Sequence, residues 1–316
     1  DHVLGTSETI LTAKQLAITA SRSDNPVLVY GETGVGKEVF AQSIHNASER
    51  SAYRFVAVNC AALPEPLLES TLFGTVRGAF TGALDKSGLF EEAQKGTLFL
   101  DELDSMSLAL QAKLLRVLEE RAIRRVGSTY LTPVDVRIIA SLGDDPLDAM
   151  ECNQLREDLY FRVAVNVIEI PPLRDRGEDI VLLANTFAKR YAMATGQPVP
   201  VLKDETLSLF LNYRWPGNVR ELKNTVMAIT DVCKSPVGVS DLPEHFKRAI
   251  SRTGVMKSEA DYALEVAVDN TELSMIKSSL ANTGGNVAAA ARLLGISRQS
   301  LQYKIKKYGI SDLTRT

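Results

Sequence analysis

Five runs of apolar and β-branched residues recur along the first half of the chain, with helical stretches between them. Their apolar character is continuous rather than alternating, which is typical of strands covered on both faces. The pattern therefore predicts an α/β domain with a parallel sheet. The predicted strands span residues 26–30, 55–59, 97–101, 134–141 and 163–170.

Helical spacing appears between the third and fourth runs. Leu110, Leu114, Val117 and Leu118 fall at i, i+4, i+7 and i+8, which predicts a helix with one buried stripe. After residue 172 the strand pattern stops, and glycines and prolines then punctuate a series of helices. The predicted division is 1–172 for the α/β subdomain, 173–248 for a helical subdomain, 249–268 for a linker and 269–316 for a compact all-α unit.

Composition is that of an ordinary soluble globular protein, with 45% apolar and 24% charged residues in 316. No run of eighteen apolar residues and no charged-then-apolar leader occurs, so we predict a cytoplasmic protein without a membrane partner. Because a domain-like pattern begins at Asp1 without an initiator methionine, we expect a part of a longer protein. The scattered cysteines and histidines predict no structural metal.

Charge is distributed unevenly between the body and the C-terminus. The whole chain carries 36 − 39 = −3, but residues 271–316 carry 7 − 2 = +5, which leaves −8 for the remainder. A small basic unit following an acidic body predicts a nucleic-acid partner.

Residues 31–38, GETGVGKE, directly follow the first predicted strand and precede a helical stretch. This arrangement predicts a phosphate loop, in which backbone N–H groups surround phosphate oxygens and Lys37 binds the outer phosphates. The alternative is an ordinary strand-to-helix turn. Glu38 stands where a Ser or Thr usually supplies a magnesium ligand. The predicted nucleotide contacts are Gly31, Glu32, Thr33, Gly34, Val35, Gly36, Lys37 and Glu38.

Asp101 and Glu102 end the third predicted strand, where a carboxylate would lie beside the phosphate site. We predict that Asp101 holds Mg²⁺, directly or through water, and that Glu102 polarises the attacking water. An Asp-Glu pair alone could equally start a turn or cap a helix. Together with the phosphate loop, it favours nucleotide hydrolysis.

Three arginines have two interpretations each. Arg156 and Arg162, in REDLYFR, are either solvated helix charges or fingers that reach the γ-phosphate of a neighbouring subunit. The same choice applies to Arg220 in WPGNVREL, where Pro-Gly separates two helices.

The C-terminal residues predict a helix-turn-helix. Asn286 is a good N-cap for a helix over 287–294, and a Gly-Ile turn precedes a second, basic helix that ends near residue 308. Leu301 and Ile305 would face the core. A plain helical hairpin is the alternative. The predicted DNA contacts are Ser297, Arg298, Gln299, Ser300, Gln302 and Lys304.

The hexapeptide GAFTGA, residues 78–83, fits neither a helix nor a strand. Its two glycines predict a flexible loop tip that carries an aromatic side chain. The residues are Gly78, Ala79, Phe80, Thr81, Gly82 and Ala83.

These motifs together resemble the bacterial enhancer-binding proteins, AAA+ ATPases that activate sigma-54 RNA polymerase. The resemblance covers nearly the whole chain, and GAFTGA is its most specific motif. The other matching segments are GETGVGKE, NCAAL at 59–63, GTLFLDE, REDLYFRV, PPLRDRGEDI, WPGNVRELKN and GGNVAAAARLLGISRQSLQYKIKKYGI, a Fis-type helix-turn-helix.

The resemblance implies a three-layer α/β/α AAA+ domain with a five-stranded parallel sheet, a helical lid and a C-terminal DNA-binding domain. It implies ATP and Mg²⁺ as cofactors, a dimer or hexameric ring, and enhancer DNA with a near-palindromic site as a partner. Asn59 would be the switch residue that holds Glu102, Arg156 and Arg162 the trans-acting fingers, and Arg220 the second sensor. GAFTGA would contact sigma-54 and, on hydrolysis, remodel the closed promoter complex.

Two departures from the family pattern lie between the nucleotide site and the GAFTGA loop, where the state of the nucleotide would be transmitted to the loop. Gly143 stands where the family usually has the first-sensor Asn, and TLFGTVR at 71–77 replaces the common ELFGHEK. They motivate an alternative function: a DNA-binding regulator whose AAA+ body oligomerises with weak or absent turnover. A third candidate, an AAA+ unfoldase or clamp loader, explains neither GAFTGA nor the helix-turn-helix.

Overall fold

The computed structural model describes residues 3–232, 236–252, 276, 278–280, 283, 286–294 and 301. The chain divides into two compact units, Asp1–Lys247 and Arg248–Thr316. The strands are β1 Val27–Tyr30, β2 Phe55–Asn59, β3 Thr97–Asp101, β4 Ala122–Ile123, β5 Thr132–Pro133, β6 Arg137–Leu142 and β7 Asn166–Glu169. The helices are α1 Glu8–Ser21, α2 Lys37–Asn46, α3 Glu65–Phe73, α4 Leu89–Glu92, α5 Leu108–Glu120, α6 Pro146–Glu151, α7 Glu157–Val163, α8 Asp179–Thr195, α9 Asp204–Asn212, α10 Asn218–Val232, α11 Glu244–Arg252 and α12 Val287–Leu293.

The central sheet has five strands in the order β2-β3-β6-β1-β7, and all neighbours pair in parallel. The predicted five-stranded parallel sheet is therefore confirmed. Because β6 lies between β3 and β1, the ends of these three strands bring the acidic segment, residue 143 and the phosphate loop to one edge of the sheet.

Two predicted strands begin three residues later in the structure than the sequence pattern indicates. The fourth begins at Arg137 rather than at residue 134, because the Val134 N–H donates to the Arg121 carbonyl beside the short β4–β5 pair. The fifth begins at Asn166 rather than at residue 163, because Val163 closes α7 and is buried there.

Both faces of the sheet are covered, as the continuous apolar runs predict. Leu98 and Leu100 belong to a core cluster on one side, whereas Phe99 belongs to a second cluster with α2. The predicted stripe of α5 is confirmed, since Leu110 and Leu114 are fully buried in the first cluster. Val117 also belongs to that cluster, and Leu118 packs against it.

An aromatic cluster fixes the segment before α10. The Trp215 ring stacks on Phe246 with centroids 5.2 Å apart, and Phe210 and Tyr213 contact it edge-on. Its indole N–H donates to the Phe210 carbonyl at 2.8 Å, so the buried ring has no unsatisfied donor. This cluster holds the start of α10 against the phosphate loop.

The second unit is described only in part. Asn286 Oδ1 accepts the Ala289 N–H at 3.1 Å at the start of α12, which confirms the predicted N-cap. Leu301 is buried with Ile276 and Leu280, as predicted for a core position. Ile305 and all six predicted DNA contacts lie outside the described residues. Among the helices that the structure describes, none is long and apolar enough to cross a bilayer.

Candidate nucleotide site

The phosphate-loop segment lies between β1 and α2, and Lys37 is the first residue of α2. The backbone N–H groups at the start of that helix have no intrahelical partner, so they are available to an anion. Glu38 is exposed on the first turn, away from the buried face of the helix. This arrangement fits the predicted phosphate loop.

Lys37 lies within this loop with 8% of its surface exposed. Its Nζ donates to the Gly31 carbonyl at 2.7 Å and to the Glu32 carbonyl at 3.4 Å. Burial lowers the pKa of Lys37, whereas the negative charges of Asp101 and Asp104 act in the opposite direction. The ammonium therefore sits inside the loop, where it experiences the negative charges of carboxylates at and just beyond the end of β3.

Glu32 joins the loop to the helical subdomain. Its carboxylate accepts two hydrogen bonds from the Arg174 guanidinium, at 2.7 and 2.9 Å, and one from Asn218 Nδ2 at 3.0 Å. The Arg174 bonds lower the pKa of Glu32. Asn218 also donates to the Thr33 carbonyl at 3.1 Å. The sequence did not single out Arg174 or Asn218, because neither stands near the loop along the chain.

Gly34 also lies close to the start of α10. It has φ +84°, and a Cβ placed there would lie 2.4 Å from the Gly217 carbonyl oxygen. The Arg220 N–H donates to the Gly34 carbonyl at 3.3 Å, while its side chain is exposed. The predicted second sensor thus begins beside the loop. The buried guanidinium of Arg176 donates to the carbonyl of the adjacent Val35 at 3.1 Å and fixes it.

Asp101 is held by bonds to both of its oxygens. Ser141 Oγ donates to Oδ1 at 2.5 Å, and Asn59 Nδ2 donates to Oδ2 at 3.1 Å. Asn59 Oδ1 accepts the Ala61 N–H at 2.9 Å, which fixes the orientation of the amide. Among the described residues, the carboxylate that Asn59 contacts is therefore Asp101 and not Glu102. Its role as the switch on Glu102 stays a prediction.

Glu102 follows Asp101 in an unusual conformation. Its φ of +57° places it in the left-handed region, and its N–H donates to Ser141 Oγ at 3.0 Å. A left-handed non-glycine residue beside a strand end is strained, and such residues occur at functional sites. Ser141 therefore fixes both acidic residues, and the sequence had not identified it.

The donor set suits Mg²⁺ held between protein and phosphate. Asp101 supplies the hard carboxylate oxygen that Mg²⁺ prefers, and Ser141 orients it. No group of three or more His, Cys, Asp or Glu side chains forms a metal cage in the described part of the chain. A site of this kind takes one or two carboxylates and completes its coordination with phosphate and water.

Arg156 and Arg162 lie at opposite ends of α7; Arg162 is exposed, and Arg156 is half-buried. The Arg156 guanidinium pairs with Asp158 at 2.7 Å, and Arg162 Nη2 donates to the Leu118 carbonyl at 2.7 Å. Neither forms a recorded bond to residues 31–37 within the part of the chain described. The structure therefore does not bring them to the phosphate loop of their own subunit.

The GAFTGA segment forms a loop between α3 and α4 that is anchored at its base. Thr75 and Lys86 pair through two backbone bonds of 2.9 and 3.0 Å. Val76 donates to the Val126 carbonyl at 3.1 Å, which ties the loop to the segment between β4 and β5. Glu91 accepts two bonds from Arg125 and thereby connects the same two segments.

The tip of this loop projects away from the core. Phe80 is 55% exposed, and Leu84 just after the motif is 70% exposed. Singly exposed apolar side chains are common on protein surfaces, so this exposure makes Phe80 accessible to a partner without by itself marking a contact surface. Ala83 is the exception in the motif, since it is 8% exposed.

Residues 3–170 match the family described as the Sigma-54 interaction domain. Residues 174–259 match the AAA+ ATPase lid domain, and residues 267–308 match the bacterial regulatory protein, Fis family. The chain belongs to the sigma-54-dependent transcriptional activators. The predicted AAA+ fold and the Fis-type helix-turn-helix of this activator are thereby confirmed.

Relatives match along almost the whole of the activator chain. It is 47% identical over 323 residues to the transcriptional activator RocR of Bacillus subtilis, covering 99% of the chain and 69% of RocR. It is 40% identical to the regulatory protein AtoC of Escherichia coli, covering 98% of the chain and 68% of AtoC. The crystal structure of NtrX from Brucella abortus in complex with ATP superposes with a TM-score of 0.76 at 30% identity, covering 98% of the chain and 70% of NtrX.

Proposed function

We propose that this activator hydrolyses ATP as a ring and uses the GAFTGA loop to remodel the closed complex of sigma-54 RNA polymerase. The observation that carries the proposal is the arrangement of Lys37 opposite Asp101 and Glu102, with Asn59 and Ser141 fixing Asp101. NtrX has been solved with ATP and with ADP, which supports a nucleotide at the matching loop.

Each residue of the site has a chemical task in this proposal. The loop N–H groups and Lys37 bind the β- and γ-phosphates, and Glu102 orients the attacking water and accepts its proton. Asp101 is the carboxylate that would hold Mg²⁺, which when bound neutralises charge on the phosphates. Ser141 keeps Asp101 oriented throughout.

The bonds of Arg156 and Arg162, which go to Asp158 and the Leu118 carbonyl rather than to the phosphate loop of their own subunit, support action in trans. A finger must be free to approach the γ-phosphate of a neighbour, and a ring presents such a neighbour at every interface. We therefore propose a homo-oligomer that progresses from a dimer to a hexameric ring, with each site completed by the adjacent subunit.

The test combines a concentration series with complementation. ATP turnover per subunit should rise with protein concentration as rings form. Lys37→Ala and Arg162→Ala should each be inactive, whereas a mixture of the two should regain turnover, because some interfaces then combine an intact lysine with an intact arginine. Absence of hydrolysis by the wild type at ring-forming concentrations would support the non-hydrolysing regulator that Gly143 suggests.

Phe80 and Thr81 are the proposed contacts with sigma-54. Phe80→Ala should keep ATP turnover within about twofold and lose promoter opening, because an exposed side chain contributes recognition rather than packing. Met193→Ala, which removes an 82% exposed side chain from α8, is the matched control and should retain both activities. Promoter opening by Phe80→Ala at the wild-type rate would contradict the assignment.

DNA binding is proposed for the C-terminal unit, as a dimer on a near-palindromic enhancer site. Arg298→Ala should weaken binding to the specific site by about 1–3 kcal/mol if the guanidinium contacts a base edge. An equal loss on all sequences would indicate a phosphate contact instead.

A further inference from the structure

Gly143 leaves a gap in the side chains at the edge of the sheet where the nucleotide site lies. It follows the last residue of β6, between the end of β3 and the phosphate loop that follows β1. A Cβ at residue 143 would meet Asp104 Oδ2 at 3.5 Å, which is ordinary van der Waals contact. A side chain at residue 143 would therefore begin beside Asp104 Oδ2.

Asp104 reaches residue 143 from the 3₁₀ turn Leu103–Ser105. Its Oδ2 accepts the Gly143 N–H at 3.1 Å, which fixes the carboxylate against the end of β6. Its Oδ1 is buried and has no hydrogen-bond donor among the described residues. A buried carboxylate oxygen without a partner is costly, so a native structure that keeps one usually supplies its partner as water or a ligand.

The charge of Asp104 acts on the phosphate site. The negative charge of Asp104 raises the pKa of Lys37, as do those of Asp101 and Glu102, against the lowering by burial. The same three carboxylates also raise the pKa of the Cys60 thiol, although burial is the larger cause there. Asp104 is thus electrostatically part of the acidic group that faces Lys37, although it lies three residues beyond Asp101.

We propose that Asp104 is a positioning residue whose carboxylate, fixed against the end of β6 where residue 143 has no side chain, holds a water molecule of the nucleotide site. An ionised carboxylate only accepts hydrogen bonds, so its partner must be a donor and cannot be a phosphate oxygen. Water is such a donor, either as the attacking molecule or in the hydration shell that Mg²⁺ would bring. The proposal rests on the proposed ATPase function.

The first measurements need no turnover. Affinities of Asp104→Ala and Asp104→Asn are measured for Mn²⁺ in the presence of a non-hydrolysable ATP analogue, and for ADP–aluminium fluoride relative to ADP. If the water belongs to the hydration shell of the metal, the affinity for Mn²⁺ falls about tenfold. If it is the attacking water, the affinity for ADP–aluminium fluoride relative to ADP falls about tenfold instead. Asp104→Asn keeps the shape of the side chain and serves if Asp104→Ala fails to fold.

Two controls test whether the effect is specific to Asp104: a charge-matched substitution elsewhere and a second substitution at residue 143. Asp148→Asn removes an equally charged, exposed side chain from α6 and should leave both affinities within about twofold. Adding Gly143→Asn to Asp104→Ala should recover most of the lost affinity, because an amide at residue 143 can enter the vacated space. A merely structural Asp104 would give no such recovery.

The proposal is overturned if both affinities of Asp104→Ala stay within about twofold of the wild type, or if Gly143→Asn recovers neither. Steady-state turnover separates this result from the proposed function. Absence of ATP hydrolysis by the wild type would contradict only the ATPase proposal, because the two affinity measurements would still test the role of Asp104.

Discussion

The phosphate loop and the GAFTGA loop both place glycine in the left-handed region, but their surroundings differ. Gly34 has φ +84° and Gly82 has φ +85°. A Cβ at Gly34 would lie 2.4 Å from a backbone oxygen, whereas a Cβ at Gly82 would meet nothing within 4 Å. The first glycine is required by space and conformation, and the second by conformation alone. The comparison separates a loop that must keep its shape from one that must stay accessible.

Substituting alanine at both glycines tests this difference most strongly. Gly34→Ala should lower the free energy of unfolding by about 2–5 kcal/mol, the sum of a left-handed alanine and a backbone clash. Gly82→Ala should lower it by about 1–2 kcal/mol, from the backbone conformation alone. Denaturant unfolding measures both. Equal losses would show that the Gly217 carbonyl moves away freely.

A substitution in the phosphate loop and one in the GAFTGA loop should differ by about two orders of magnitude in their effect on ATP affinity. Lys37→Ala removes charge-assisted bonds to phosphate worth about 3 kcal/mol, so ATP affinity should fall on the order of 100-fold. Phe80→Ala is the control in the other loop and should leave affinity unchanged. Fluorescence of a labelled ATP analogue reports both values. Unchanged affinity in Lys37→Ala would refute the placement of the phosphate site.

Each loop also has a bidentate Arg–Glu pair at its base, and these pairs should differ in what they affect. Glu32→Gln should weaken ATP binding several-fold, because Glu32 joins the loop to Arg174 and Asn218. Glu91→Gln breaks the pair with Arg125 below GAFTGA and should leave ATP binding unchanged. Titration calorimetry distinguishes them, and an equal effect of both variants would mean that the loops are coupled in the resting state.

The Glu32 pair should also be sensitive to acid. Its folded-state pKa is depressed by Arg174, so its contribution is present above the ordinary glutamate pKa and is lost as pH falls through the folded value. Because the pair is partly exposed, the free energy of unfolding of the wild type should exceed that of Glu32→Gln by only about 0.5–1 kcal/mol at neutral pH. Unfolding at pH 7 and at about pH 3 checks this. A difference that persists in acid would exclude the ionised pair as its cause.

The smallest effect is expected for Phe80 on stability. Its ring is 55% exposed and lies on a tip that packs against little, so Phe80→Ala should change the unfolding free energy by less than about 0.5 kcal/mol. Thermal melting is sufficient to see a larger loss, which would mean that the ring packs against the body.

Sequence patterns predicted the strand cores because continuous apolar runs leave few alternatives. They could not predict where pairing begins. Arg137 starts β6 and is 2% exposed, with Nη2 donating to the Ala20 carbonyl at 2.7 Å, so a charged residue occupies a core position through partners more than a hundred residues away. The hydrophobicity of neighbouring residues cannot predict contacts with residues so distant in sequence.

The same limit applies to the site. Lys37, Asp101 and Glu102 could be identified because phosphate chemistry requires those groups next to strand ends. Ser141 is an ordinary residue within a strand, and Arg174 follows a Pro-Pro pair, so both acquire their roles only when the sheet order places them beside the loop. Asp104 offered one signal, a third carboxylate within four residues, but its orientation toward Gly143 depends on the 3₁₀ turn.

One contact at the base of the GAFTGA loop has a consequence for how such chains diverge. A Cβ at Gly127 would lie 2.6 Å from the Ala79 Cβ, so the two positions share a volume that holds only one methyl group. The same Cβ would also lie 2.8 Å from the Ala79 Cα, a backbone atom that Ala79→Gly would leave in place. Residue 127 should therefore stay glycine whatever residue 79 becomes, which a reconstructed lineage or a suppressor screen would reveal.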